Sequence, residues 1–363
     1  MRVTQTMLAN NTLRHISQGY ENLGRIQDQL ASGKKITRAH QDPVIAMKGM
    51  RYRTEVTEVE QFKRNLSEVN TWMDNADSAL DKVNQAIHRI RELVVQASND
   101  TYEPTQRANI AKEIRQINDH IASLANTKAN DKYIFNGTNT TNPPVNLDGV
   151  TIKLENYNFD DRSDYALSYQ GKEFRYVGEN VYQSGNKTIT VSDEPLTFTY
   201  NDPDGETGDF KEENIIISNR KAVSTNNHDV KIEVMKGIEM AVNIRPQNVF
   251  SAHMFANLDA IANTLEDPTK QSEDITKFLD VLSGFTDDVV SERAELGARV
   301  NRVDMIQNRV WEQEVVSRRI LSDNEDADME KVIIDLTTQE SVHRAALAVG
   351  ARIIQPTLMD FLR

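Results

Sequence analysis

From Val59 to Ala97 an apolar residue recurs alternately three and four positions ahead. The series is Val59, Phe62, Leu66, Val69, Met73, Ala76, Leu80, Val83, Ile87, Ile90, Val94 and Ala97, with no polar substitution. A 3.5-residue repeat held over more than five heptads predicts a helix that packs along a seam. Such a helix would be roughly 58 Å long at about 1.5 Å per residue, where a globular helix averages about 11 or 12 residues. Two other segments offer matching stripes. After Pro104, Ile110, Ile114, Ile117, Ile121 and Leu124 step by four and three, and the loop Ser98 to Glu103 is short enough to make antiparallel neighbours. Far along the chain, Ile275, Leu282, Val289, Leu296, Val303 and Val310 recur every seven residues, with Phe278, Phe285 and Ile306 beside them. The expected rod packs 59–97 against both 105–128 and 275–312. Spacing by itself fits a generic helical bundle equally well.

The two ends repeat the pattern more thinly. Near the start Ala9, Leu13, Ile16, Tyr20, Leu23 and Leu30 keep a heptad phase, with Gln27 as a polar interruption. Near the finish Met329, Val332 and Leu336 are followed, after the polar gap Thr337–Ser341, by Ala346, Val349 and Ile353. Helices with such narrow stripes are marginal alone in water. They are expected to pair with each other or with other subunits, which makes Leu13, Ile16, Tyr20, Leu23, Leu30, Val332, Leu336, Ala346, Val349 and Ile353 the candidate assembly positions.

Between the helical parts the text changes. From Gly137 the run Thr138-Asn139-Thr140-Thr141-Asn142-Pro143-Pro144 is a loop signal. Short β-branched or alternating runs follow at 150–152, 174–176, 188–191, 196–200, 215–217 and 230–234, separated by turn clusters such as Asn201-Asp202-Pro203-Asp204-Gly205. Helical spacing returns past Pro246. The expected fold is mainly α with a β-rich insertion: an elongated antiparallel helical bundle or coiled coil of N- and C-terminal segments, with the β domain inserted between them. Its parts are a terminal helical assembly domain (1–44 and 326–363), a helical rod domain (45–137 and 246–325) and an inserted β-rich outer domain (138–245).

Composition narrows the chemistry. The 363 residues are 38% hydrophobic and carry a formal net charge of −13, which argues against a nucleic-acid groove. Eighteen acids face eleven bases between 138 and 245, a balance that suits a solvated outer module. No segment approaches 18 consecutive apolar residues, so no membrane span is expected, and the N-terminus lacks the apolar stretch of a signal peptide. The absence of cysteine removes disulfides and thiolate sites. The seven histidines include no pair at helical zinc spacing, and His343 reads as an interface residue in the last helix. Ser32-Gly33-Lys34-Lys35 lacks the first glycine of a phosphate loop, since Asp28 stands there. Acid pairs such as Asp160-Asp161 and Glu212-Glu213 read as surface groups, and the run Asp323–Asp328 reads as the acidic start of the last helix rather than a calcium loop. No catalytic, cofactor-binding or metal residue is expected.

Several motifs carry a family resemblance. Gln29-Leu30-Ala31-Ser32-Gly33-Lys34-Lys35-Ile36 resembles the segment after the first helix of flagellin-family proteins. There a helix ends in a Ser-Gly turn, followed by a strained stretch and an acidic-Pro pair; Asp42-Pro43 matches, whereas Ala39 and Gln41 depart from the usual proline and acid. Leu296–Arg302 is similar to the family's motif on its long C-terminal helix, and Tyr133–Thr138 to its exit into the outer domain. Asp326–Met329, Asp335–Glu340 and Gln355–Leu362 resemble members at the hook–filament junction more than filament flagellins. The resemblance covers 1–137 and 246–363. It implies a non-enzymatic, secreted structural adaptor at the junction between hook and filament of the bacterial flagellum, exported unfolded through the type III apparatus without a cleaved signal peptide. The implied partners are further copies of the chain in a ring, the preceding hook-associated protein, flagellin, and an export chaperone at the C-terminal region. Alternatives are a filament flagellin, or a secreted adhesin or enzyme with its activity in the insertion.

Overall fold

A computed structural model describes residues 5–99, 102–152, 157, 159–169, 171–193, 196–203, 208–210 and 215–354. The described chain is mainly helical, with one large antiparallel sheet in its middle. Helices α1 (Gln5–Ser32), α2 (Pro43–Ala97) and α3 (Pro104–Ala125) precede the sheet, and α4 (Pro246–Val249), α5 (Ala252–Glu266), α6 (Ser272–Glu325) and α7 (Met329–Ile354) follow it. The chain divides into two compact units, one made of residues up to Lys63 and from Asn308, the other of Arg64–Gln307.

In the Arg64–Gln307 unit, α2 and α6 run antiparallel. Ser272 Oγ donates to the Ser98 carbonyl, Arg293 reaches Asp77 at 3.0 Å and Asp81 at 2.8 Å, and Asn70 donates to Gln307 at 3.3 Å. On its other flank α2 pairs with α3, through Arg89 and Glu113 at 2.8 Å. The seam between them is dry. Leu66, Val69, Met73, Leu80, Val83, Ile87, Ile90 and Val94 of α2, and Leu282, Val289, Leu296 and Val303 of α6, are each at most 2% exposed. Burial of each such side chain stabilises by about 1.5–3 kcal/mol, which offsets the ordering of long helices that are poor in other contacts. The stretch 246–325 is not one helix: it breaks at Asp267–Gln271, and α5 packs on α3 on one side and on the large sheet on the other.

The sheet orders its strands β3 (Thr151–Ile152), β10 (Ile216–Asn219), β4 (Tyr165–Tyr169), β5 (Lys172–Gly178), β6 (Val181–Ser184), β7 (Lys187–Asp193), β8 (Leu196–Asn201) and β9 (Gly208–Phe210). Strands β4 to β9 form an up-and-down meander, and β10 returns to cover β4. Glu179 and Asn180, both at positive φ, make the tight β5–β6 turn that matches strand twist. Leu167, Phe174, Tyr182, Ile189 and Phe198 fill its core, where the Tyr157 and Tyr182 hydroxyls meet at 2.6 Å. Burial and that hydrogen bond push the Tyr182 hydroxyl well above the usual phenol range. Each of the six β runs expected from the sequence lies in or overlaps a strand. Strand β4 escapes the alternation test because it is buried on both faces, Ala166 to Tyr169 in succession. Two short hairpins, β1–β2 (Lys128–Ala129, Lys132–Tyr133) and β11–β12 (Lys231–Met235, Ile238–Ala241), lie outside this sheet.

Candidate assembly interface

The Met1–Lys63 and Asn308–Arg363 unit gathers the candidate assembly residues. Its entry into α2 is built locally: Asp42 Oδ1 accepts from the Val44 and Ile45 amides at 2.9 and 3.1 Å, and Pro43 occupies the first helical position, where no amide is needed. Upstream, α1 stops at Gly33, whose φ of +67° and bond to the Gln29 carbonyl at 2.9 Å form a left-handed cap. Lys63 to Glu314 at 2.7 Å and Arg318 to Glu60 at 2.9 Å hold α2 against α6 within this unit, where Val59 and Val310 are buried.

A clasp joins the two interhelical connections. The Lys35 amide donates to the Glu325 carbonyl at 2.6 Å and the Ala327 amide to the Gly33 carbonyl at 2.8 Å. Lys34 Nζ bonds Asp326 at 2.7 Å, and Lys35 Nζ reaches the Asp323 carbonyl. Glu325, 6% exposed, takes Arg53 at 2.7 Å and Lys34 at 3.6 Å. The hydrogen bond from Lys34 holds the Asp326 carboxyl below its ordinary value and raises the Lys34 ammonium above its own. These contacts correct one expectation. The run Asp323–Asp328 is not wholly a helix start: α6 extends through Glu325, so its first half closes a helix, where acids oppose the dipole. Lys34, Lys35 and Arg53 supply the compensating charge. Asp328 alone caps α7, accepting from the Lys331 amide at 3.2 Å.

Helices α1 and α7 pair antiparallel at close range. A Cβ on Gly19 would stand 3.1 Å from His343 Nδ1, and one on Gly350 would stand 3.2 Å from Ile16 and 3.3 Å from Thr12. His343 is buried, with its ring edge-on to Tyr20 at 4.2 Å, and neither ring nitrogen has a hydrogen-bond partner. Of the candidate positions, Val332 is buried, Ile16, Leu23, Leu30, Leu336 and Ala346 are partly buried, and Leu13, Tyr20 and Val349 are exposed. The side chain of Ile353 and the motif Gln355–Leu362 lie outside the described residues. The face of α1 turned to α7 carries Gly19 and Ile26 where the heptad count has Tyr20 and Gln27. Helix α7 runs unbroken through the polar segment Thr337–Ser341.

The sequence reading missed Gly19, Gly49, Gly350 and Glu325. Glycine inside a helix costs about 1 kcal/mol relative to alanine, so glycines within strongly helical text are the available sign of close approach. Much of the apolar surface here is uncovered: Leu13 is 53% exposed, Tyr20 60%, Ile333 51%, Ile334 63%, Val342 55% and Val349 54%. Among the described residues no cluster of three or more His, Asp or Glu could hold a metal, and no helix is long and apolar enough to cross a membrane.

Comparison with known proteins gives this arrangement a context. The family model for the bacterial flagellin N-terminal helical region matches residues 3–140. The chain is 30% identical over 139 residues to a flagellin of Clostridium tyrobutyricum, a match spanning 38% of this chain and 37% of that one. It is 22% identical over 360 residues to flagellar hook-associated protein 3 of Escherichia coli strain K12, spanning 95% of each. In structure it resembles a putative flagellar hook-associated protein of Vibrio parahaemolyticus, with a TM-score of 0.55 and 16% identity, over 79% of this chain and 100% of that one.

Proposed function

We propose, from the match of residues 3–140 to the bacterial flagellin N-terminal helical region, that this chain is a flagellin-family structural adaptor at the junction of flagellar hook and filament. The observation that carries the reading is the uncovered apolar surface of the α1–α7 pair, in contrast to the dry seam of the Arg64–Gln307 unit. One part of the chain already buries its apolar seam, and the other offers faces that water does not favour. Near full-length similarity to a hook-associated protein supports the junction, while an equally long match to polar flagellin F of Vibrio parahaemolyticus keeps the filament as the second reading. In this reading copies of the chain form a ring, between the preceding hook-associated protein on one side and flagellin on the other. The chain travels unfolded through the flagellar export apparatus, met by a chaperone at its C-terminal region, and performs no catalysis. Its terminal, rod and outer parts follow the boundaries 1–44 with 326–363, 45–137 with 246–325, and 138–245.

The test combines position with a surface mutation. Immuno-electron microscopy should place the protein in one short zone where hook meets filament. Labelling along the whole filament would favour the flagellin reading instead, in line with the 30% identity of the N-terminal region to a flagellin. Ile334, 63% exposed, contributes little to the chain's own packing. Ile334→Asp should leave thermal unfolding and secretion unchanged and abolish incorporation; normal incorporation would remove α7 from the interface.

A further inference from the structure

His253 opens α5 and is 7% exposed, set between the large sheet and α6. Its Nε2 lies 3.2 Å from the carbonyl of Gly171, in the turn between β4 and β5. Its Nδ1 lies 3.1 Å from Asn257 Nδ2. That amide nitrogen also donates to the His253 carbonyl at 2.7 Å and to Ser168 Oγ of β4 at 3.2 Å, which fixes the amide's orientation. A carbonyl accepts, so Nε2 carries the proton of the neutral ring, and Nδ1 is left bare, facing an amide nitrogen that cannot accept one. The ring stands edge-on to Phe285 of α6 at 5.5 Å. The turn itself is tightly seated, since a Cβ on Gly171 would come within 2.5 Å of Val281 Cγ2.

A proton added at Nδ1 would point at a donor and place a charge where solvent is excluded. We propose that His253 is a proton-operated latch, which holds the β4–β5 turn on α5 and α6 when neutral and releases it when charged. Charged groups stand on both sides of it. Glu173 and Arg175 of β5 act on the ring, and Asp280, Asp288 and Glu292 of α6 line the cleft that His253 borders. Beyond Asn257, Lys270, Asp274 and Lys277 line a second cleft. Burial lowers the imidazole's proton affinity from the ordinary 6.5, with a smaller push from Arg175, and outweighs the opposing pull of Glu173 and of the Gly171 hydrogen bond. The released state therefore binds the extra proton more readily. The latch is closed above the ordinary histidine value and opens as pH falls through the lowered one, by up to about tenfold per pH unit for one proton. Burial raises the Asp288 and Glu292 carboxyls, so their titration would tighten the fold in acid and cannot produce this loosening.

Hydrogen exchange on the full chain, corrected for the intrinsic rate, tests the latch between about pH 7.5 and 4.5. Peptides spanning 165–178 should lose protection in acid with the one-proton slope, while peptides from α3 keep theirs. In His253→Gln the side-chain amide can still donate to Gly171 but does not titrate, and the acid-dependent loss should vanish. Flat protection in the wild type, or an undiminished slope in the variant, would overturn the proposal. Should the variant not fold, NMR titration of the His253 ring in the wild type decides: a midpoint below 6.5 supports the latch, and one at or above it sinks the idea.

Discussion

Replacing Gly49 by alanine sets two known effects against each other at one atom. In a helix interior alanine is favoured over glycine by about 0.8–1.0 kcal/mol. At this position, however, the new Cβ would stand 2.5 Å from Glu325 Oε1, 3.3 Å from its Cδ and 3.4 Å from Asn324 Nδ2. The carboxylate cannot easily retreat: its Oε2 is held by Arg53 at 2.7 Å and by Lys34 at 3.6 Å, and Asn324 Nδ2 is bound to the Ile45 carbonyl at 3.1 Å. Inserting a methyl group into such packing costs about 1–3 kcal/mol. The loosened ion pairs add only a small further loss, because Arg53 is 64% and Lys34 41% exposed and both are screened by water. Setting the helix gain against that cost leaves a net destabilisation of up to about 2 kcal/mol. Gly24 is the control, since a Cβ there meets nothing within 4 Å; Gly24→Ala should stabilise by about 0.5–1 kcal/mol. Urea unfolding followed at Trp311, which lies in the same unit, reads both changes. Trp72→Phe silences the other tryptophan, a 2% exposed ring whose Nε1 has no partner to lose. A Gly49→Ala midpoint equal to or above the parent's would refute the clasp geometry.

Leu80, fully buried in the α2 seam, should not tolerate a carboxylate: Leu80→Asp is expected to cost about 3–5 kcal/mol, and a melting temperature within a degree of wild type would count against the seam. The clasp should hold over a wide pH range. The lowered carboxyl of Asp326 keeps its contribution above the ordinary 3.8 and loses it as pH falls through the lowered value, while the raised ammonium of Lys34 keeps its own up to the ordinary 10.5 and loses it as pH rises through the raised value. Proteolysis within 33–42 should therefore be flat between about pH 5 and 9, and rise in stronger acid; cleavage that climbs already near neutrality would show that the ion pair is not what closes the loop.

The α2 seam was legible because twelve successive positions agree, and a helix must bury all of them on one side. Pairing of the terminal helices was legible in kind but not in phase. A count of apolar residues passes from Ile16 to Tyr20 to Leu23, whereas the face that touches α7 passes through Gly19 and Ile26, because two backbones approach closely where a side chain is missing. Hydrophobic periodicity does not register an absent side chain. The acidic run at 323–328 misled for a different reason: acids near a helix end normally mark its N-terminus, but here cations almost three hundred residues away neutralise them at a C-terminus. Strand β4, buried on both faces, showed no alternation to read. His253 carries no local signal, since its latch exists only once α5 meets the sheet.

The contrast between the two seams is itself an argument about function. Along α2 within the larger unit, the apolar positions are shut from water by other helices of the same chain. Along α1 and α7 the helices use glycines to come together, and that closeness turns Leu13, Tyr20, Ile334 and Val349 outward. A pair of helices that sought only its own stability would place those side chains between its members, where each is worth about 1.5–3 kcal/mol. This chain instead joins its two connections through Lys34 and Asp326, 292 residues apart in sequence, and leaves the larger apolar groups facing out. Such a surface is costly in the free chain and favourable wherever other helices cover it, which is the balance the proposed adaptor role asks of a subunit.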